Sequence, residues 1–146
     1  MPFDAPVTLG PFSVAPDGRL APRSADTTPS FMFRWRGRTL RAMLRDDPDT
    51  DVVLTLRAIV GRVPSTASDQ LALRQQSFAL LRALGTSMPS GWRVSLLPDH
   101  RVVLEATVQM PHPVTATSLL AETTRFVLAL DPYVDLVEEA GMPAQA

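Results

Sequence analysis

From Phe31 onward the chain alternates apolar and polar positions with the period of a half-buried strand. Phe31, Phe33 and Trp35 alternate with Met32, Arg34 and Arg36, and Arg36-Gly37-Arg38 reads as a tight turn. Leu40, Ala42 and Leu44 then alternate with Thr39, Arg41, Met43 and Arg45. The acidic stretch Asp46-Asp47-Pro48-Asp49 predicts the next turn, because its residues bond their own backbone or pre-set its angles. Val52 to Val60 is more evenly apolar, as expected of a strand near a sheet centre. Three antiparallel strands with short turns make a meander, which Gly61 and Pro64 end.

Helical spacing comes next. Thr66-Ala67-Ser68-Asp69 has the spacing of a capping box. Leu71, Phe78, Leu81 and Leu84 recur on one helical face, with Leu73 and Leu80 widening the stripe. Residues 67–84 are therefore predicted to form an amphipathic helix, with Gly85 just past its end. A second hairpin runs through Trp92, Val94 and Leu96, the turn Pro98-Asp99-His100-Arg101, then Val102, Leu104, Ala106, Val108 and Met110. Thr115 is placed to cap a last helix carrying Leu119, Leu120, Phe126, Val127 and Leu130. Asp131-Pro132 reads as an N-cap with Pro at the first helical position, predicting a short further helix or a kink.

Proline reshapes the N-terminal picture. Six prolines fall in the first 29 residues, a density that forbids a helix and limits strands to edges or short pieces. Phe12-Ser13-Val14 and Arg19-Leu20-Ala21 flank Ala15-Pro16-Asp17-Gly18, which suits a turn. The expected organisation is one domain spanning residues 1–146, with a Pro-rich hairpin arm over 1–30 and an α+β core over 31–140. Strands grouped in hairpins with helices between them predict an antiparallel sheet of five or more strands, two main helices on one face, and the order (ββ)-βββ-α-ββ-α.

Composition narrows the function classes. The chain has 146 residues, 45% of them hydrophobic, and no cysteine, which removes disulfides, thiolate metal sites and cysteine nucleophiles. No apolar run approaches the roughly 18 residues needed to span a bilayer, and the first basic residue is Arg19, so a cytoplasmic protein without membrane contact is expected. Net charge is -1, so no global field selects nucleic acid or an anionic surface. All 14 basic residues are Arg, Asn is absent, and Ile occurs once, at Ile59. That bias fits a GC-rich, bacterial coding genome.

Catalytic signals are thin. There is no nucleophile elbow, phosphate-binding glycine loop or dinucleotide fingerprint. His100 and His112 lack a second ligand at helical metal spacing. Glu105 is the one acid inside a predicted strand, and a cross-strand pair with Arg93 is its expected role. Glu138 and Glu139 read as a solvated helix face. Neither an enzyme nor a cofactor is expected.

The remaining candidates lie on surfaces. Alternation puts Arg34 and Arg36 opposite Phe33 and Trp35, and Arg41 and Arg45 opposite Leu40 and Leu44. Met43, Val53, Ile59 and Val103 fall on the nominally polar faces of their strands. A sheet covered by helices on one side and carrying apolar residues on the other has a face that meets a partner, or that the Pro-rich arm covers. The arginines suit an acidic protein partner. No aromatic is interleaved with them to stack bases, which argues against nucleic acid. They also suit a solvated face partly neutralised by Asp46, Asp47, Asp49 and Asp51.

Several stretches carry a resemblance. Leu54-Thr55-Leu56-Arg57-Ala58-Ile59-Val60-Gly61-Arg62-Val63-Pro64 ends a strand in a small-x-x-Gly-x-x-Pro step, and Leu80-Leu81-Arg82-Ala83-Leu84 pairs leucines on the middle helix. With the hairpin from Gly91-Trp92 to Glu105 and the closing helix from Leu119 to Val137, residues 31–140 resemble the class I type III secretion chaperones and the sensory-transduction-regulator-like proteins. The resemblance implies a small homodimer that binds an extended segment of a client protein without catalysis, through apolar grooves and sheet-edge pairing. A regulatory protein contacting nucleic acid or an acidic partner through the arginine hairpin is the alternative expectation.

Overall fold

Strand pairing organises the chain into two antiparallel sheets and two helices. The computed structural model describes residues 7–22, 29–45, 52–64, 71–111 and 113–142. A three-stranded sheet comprises β1 (Val7–Leu9), β2 (Phe12–Val14) and β3 (Leu20–Pro22). The main sheet has β4 (Ser30–Trp35), β5 (Arg38–Arg45), β6 (Val53–Arg62), β7 (Trp92–Leu96) and β8 (Arg101–Gln109), in the order β4-β5-β6-β8-β7. Helix α1 (Leu71–Ser87) joins β6 to β7, and α2 (Ala116–Glu139) closes the fold. This is the expected α+β architecture, with the evenly apolar β6 at the sheet centre.

One face of the main sheet holds the core. Register aligns Phe31 with Ala42, Ala42 with Leu56, Leu56 with Ala106, and Ala106 with Trp92. Leu119, Phe126, Leu130, Val134 and Val137 of α2 join the same apolar cluster, and the Trp92 ring stacks on Phe126 at 4.9 Å. On α1, Leu84 is buried and Gly85 lies close to β7, where an added Cβ would sit 3.7 Å from Val94 Cγ1. Gly85 therefore sits inside α1, which runs on to Ser87, rather than ending it. Leu71, expected in the buried stripe, is exposed.

The arm packs on this same face. Phe12 is buried in the core cluster and meets the Phe31 ring edge-on at 6.4 Å. Leu20 N–H donates to Val114 O and Ala116 N–H donates to Gly18 O, tying the β2–β3 turn to the start of α2. The expected β2–β3 hairpin is present, with β1 as an additional strand. Residues 7–22 therefore pack on the helix-bearing face rather than covering the other one, while residues 1–6 and 23–28 of the arm lie outside the described residues.

Two boundaries differ from expectation. Strand β6 continues through Gly61 to Arg62, with a register shift between Ile59 and Gly61. Such a bulge adds a residue to one strand and re-aims the side chains beyond it. Helix α2 starts as expected, with a reciprocal capping box between Thr115 and Ser118. It then continues as one helix past Pro132 instead of restarting there. The capping box expected at Thr66 to Asp69, the turn at Asp46 to Asp49, and His112 lie outside the described residues.

Because Phe12 is a core residue rather than an ornament of a loose arm, Phe12→Ala is expected to lower unfolding stability by about 3 kcal/mol, the usual cost of emptying a buried Phe site. Urea denaturation measures it. A loss near zero would mean that the arm is not part of the cooperative unit.

Candidate binding face

The opposite face of the main sheet is built by the alternate positions of the same strands. One row crosses all five: Met32 stands opposite Arg41, Arg41 opposite Arg57, Arg57 opposite Glu105, and Glu105 opposite Arg93. A neighbouring row holds Ser30, Met43, Thr55 and Thr107. Arg34 and Arg45 flank these rows on β4 and β5. Met32 is 63% exposed and Met43 37%, so the apolar surface offered here is mainly methionine. A shallow hollow of about 470 Å³ opens between Met43, Arg45, Thr55, Arg93, Glu105 and Thr107. Gly91 borders it at φ +85, where a Cβ would come within 3.1 Å of Thr107 O, so only glycine fits without displacing the strand edge.

Charge on this face is unbalanced. Glu105 is the single carboxylate in the five-strand row, and Arg93 Nη2 takes it at 2.6 Å, the pair expected from the alternation. Arg41, Arg45 and Arg57 have no carboxylate within ion-pair distance among the described residues. Arg34 donates from Nη2 to Gly37 O at 2.8 Å, a bond that leaves its charge unopposed. Asp46, Asp47, Asp49 and Asp51, the expected neutralising residues, lie outside the described residues.

A second opposed arginine pair lies at the far end of the β6–β8 ladder, where Arg62 faces Arg101. This pair is compensated. Asp99 Oδ2 accepts from Arg101 Nε at 2.6 Å, and its Oδ1 accepts from the Arg101 backbone N–H at 3.2 Å. Desolvation pushes the Asp99 carboxyl up, but those two hydrogen bonds and the charges of Arg101 and Arg62 outweigh it and hold the carboxyl below its ordinary value.

The expected site residues thus part company. Arg34, Arg41, Arg45 and Met43 share the helix-free face and are exposed. Ile59 lies on it, partly buried. Val53 and Val103 belong to it by alternation, yet Val53 is 8% exposed and Val103 0%, so neither offers surface to a partner. Val103 sits between Ile59 on one neighbouring strand and Ser95 on the other, which closes it off.

Arg36 corrects the alternation outright. Strand β4 ends at Trp35, and Arg36 takes φ +50 in the turn, which swings its side chain to the helix-bearing side. There Nη1 meets Asp131 Oδ1 at 2.6 Å, and Nη2 meets Asp135 Oδ1 at 2.9 Å and Glu138 Oε2 at 2.8 Å. Desolvation lowers the affinity of this guanidinium for its proton. The bonds to Asp135 and Asp131 and the charge of Glu138 more than reverse that, so its pKa lies above the ordinary value. Arg38 is 1% exposed and spans the same seam. Its Nε donates to Val60 O at 2.9 Å, and its Nη1 donates to Arg36 O at 2.8 Å and to Glu138 Oε1 at 3.1 Å. Glu138 is therefore a clamp residue and not merely part of a solvated face. Asp131, Asp135 and Glu138 recur at i, i+4 and i+7, the spacing of one helix face, and that spacing was the available signal.

Among the described residues, both groups with displaced pKa values, Arg36 and Asp99, are accounted for by ion pairs that hold turns in place. The fold and this face define an α+β protein whose sheet carries helices on one side and a basic, methionine-bearing surface on the other. No protein-family model matches the chain, and no curated protein matches it.

The clamp and the turn each lead to an expected outcome. Arg38→Leu strips buried carbonyl oxygens of Val60 and Arg36 of their donor, and should cost about 2–3 kcal/mol in chemical denaturation. Arg34→Leu, on the exposed face, should stay within about 0.5 kcal/mol. For Asp99 the folded pKa is depressed, so its contribution is present above the ordinary carboxylate range near ~4 and is lost as pH falls through the lower folded value. Asp99→Asn should lower the neutral plateau of a stability-versus-pH curve and flatten its acid limb, with the two chains converging in acid.

Proposed function

We propose that this chain is a non-enzymatic protein-binding module of type III secretion chaperone-like fold, which binds an extended segment of another protein and works as a homodimer. The observation that carries the reading is the helix-free face of the main sheet, where Met32 and Met43 are exposed among arginines that have no carboxylate partner among the described residues. Apolar contacts give such a face affinity, and unopposed charge gives it selectivity and association rate. The outer strands β4 and β7 supply sheet edges for main-chain pairing with an extended segment. Leu120, Leu128 and Leu136 are exposed along α2, which supports association of two copies. No helix among the described residues is long and apolar enough to cross a membrane.

Contact with nucleic acid through the arginine hairpin is the competing reading, favoured by Arg34, Arg41 and Arg45 lying together. Against it, the hairpin's rings do not serve as a stacking platform. Phe31, Phe33 and Trp35 pack against the core cluster on the helix-bearing face.

Light scattering on the purified chain should give twice 15.9 kDa, unchanged on dilution. Affinity capture from an extract of the source cells should then retain a protein partner that survives nuclease treatment. A monomer contradicts the dimer, and a nuclease-sensitive association contradicts the protein-binding reading. Phosphate contacts would also show as a steep loss of affinity with salt, about 0.9 log units per log unit of salt for each phosphate neutralised.

A further inference from the structure

The two opposed arginine pairs of this sheet form an internal comparison. Like charges placed directly across an antiparallel ladder destabilise it, with Cβ atoms about 5 Å apart. At Arg62 and Arg101 the chain supplies its own remedy, Asp99 in the turn, which pairs with Arg101 at 2.6 Å and feels the charge of Arg62 as well. At Arg41 and Arg57 no carboxylate among the described residues does so. Glu105 is the cross-strand neighbour of Arg57, yet its ion pair is with Arg93 on the other side. A central sheet position that keeps two facing guanidinium groups, flanked by Arg45 and by exposed Met32 and Met43, is built to receive negative charge from elsewhere.

We infer that Arg41 and Arg57 form the recognition site for an acidic segment of a partner protein, one that carries carboxylates at alternate positions with apolar residues between them. This rests on the protein-binding reading above and specifies the chemistry of its ligand. Arginine suits the role because its planar fork takes a carboxylate through two parallel N–H···O bonds. Alternate residues of an extended chain lie roughly 6.6–7 Å apart, within reach of two long side chains whose Cβ atoms are about 5 Å apart. The residues between face the other way or meet Met32 and Met43, whose unbranched thioethers adapt to varied apolar shapes. The Thr55 and Thr107 hydroxyls, in the hollow beside the row, can donate to a further carboxylate oxygen. Glu105, paired with Arg93, ends the row of unopposed arginines beyond Arg57.

The test uses the full chain and a labelled peptide in which Glu alternates with Leu and Ser, with a Lys-for-Glu counterpart and an oligo-dT strand as competitors. Fluorescence anisotropy should show the acidic peptide binding and the basic one not. The Arg41→Gln/Arg57→Gln double variant should bind it at least about tenfold more weakly, a difference of about 1.4 kcal/mol. Arg82→Gln, which removes one positive charge from the exposed side of α1, should leave binding unchanged, and each of Arg41→Gln and Arg57→Gln alone, matched to it in charge, should weaken binding. The free double variant should unfold at the same or a higher denaturant concentration than the parent chain, because a repulsion has been removed. A lower midpoint would assign the two arginines a structural role and overturn the inference. So would unaltered peptide affinity in the double variant, or tighter binding of oligo-dT than of the peptide. If the partner captured from extract binds the double variant as well as the parent chain, the site is wrong while the protein-binding reading stands. If the parent chain captures no nuclease-resistant protein partner, that reading itself fails.

Discussion

Register across three central strands constrains everything on the helix-free face. Ala42, Leu56 and Ala106 lie side by side on β5, β6 and β8 and bury against α2, with Leu40, Ala58 and Leu104 in the next row. A slip of one residue would turn all of them to solvent, so the burial of this patch fixes the pairing. The pairing in turn dictates that Arg41 faces Arg57 and that Arg57 faces Glu105. The arginine pair is thus a consequence of the core rather than a free choice of geometry. What the chain chose was the side-chain identity at those positions, and it chose like charge twice. Burying a leucine contributes about 1.5–3 kcal/mol, whereas an exposed like-charge pair costs a few tenths of a kcal/mol to about 1. The core can tolerate the repulsion without losing its register.

The same argument explains why α2 runs through Pro132. A proline inside a helix withdraws one backbone bond and crowds the preceding turn, at a cost of about 3 kcal/mol. Here the segment is held from outside. Arg36 bonds Asp131, Asp135 and Glu138 across the proline, its Nη1 also reaches the Asp131 carbonyl at 3.3 Å, and Arg38 anchors Glu138 to the Val60 carbonyl of the β6 bulge. Val134 and Val137, beyond the proline, are fully buried. Tertiary packing and a two-arginine clamp override a strong local signal to stop. The bulge matters to this arrangement, because the register shift between Ile59 and Gly61 falls where Val60 offers its carbonyl to Arg38.

Much of this was legible from the order of residues alone. Period-two alternation located β4, β5, β7 and β8, the apolar run marked β6 as central, Thr115 announced the start of α2, and the Arg93–Glu105 pair came from counting along two strands. These features are local, or they link neighbouring strands of a hairpin. The features that escaped were non-local. Alternation holds only while the backbone stays extended, and the left-handed turn conformation at Arg36 ended it one residue before the pattern did. Gly85 and Pro132 signal helix ends in isolation, but α1 runs on through Gly85 to Ser87, and α2 is clamped from another element. Exposure is also a property of neighbours. Val53, Met32 and Met43 all belong by alternation to the nominally polar face, yet only the methionines are left open.

The candidate site was therefore half visible. Arg34, Arg41, Arg45 and Met43 could be grouped from one hairpin, but Arg57 joins them only across the ladder between β5 and β6. Its significance appears only when Glu105 is seen to be committed to Arg93. Surface charge by itself carries little information, because most exposed arginines are solvated and contribute almost nothing. Two charges of like sign, fixed face to face by a register they do not control, are different. Their arrangement cannot relax by moving the backbone, since that would expose the core, and long side chains can only splay apart at a cost in rotamer freedom. A ligand carboxylate between them removes the repulsion and adds charge-assisted hydrogen bonds in one step. On the reading proposed above, the rigidity of the core on one face of the sheet is what holds the opposite face ready for an acidic partner.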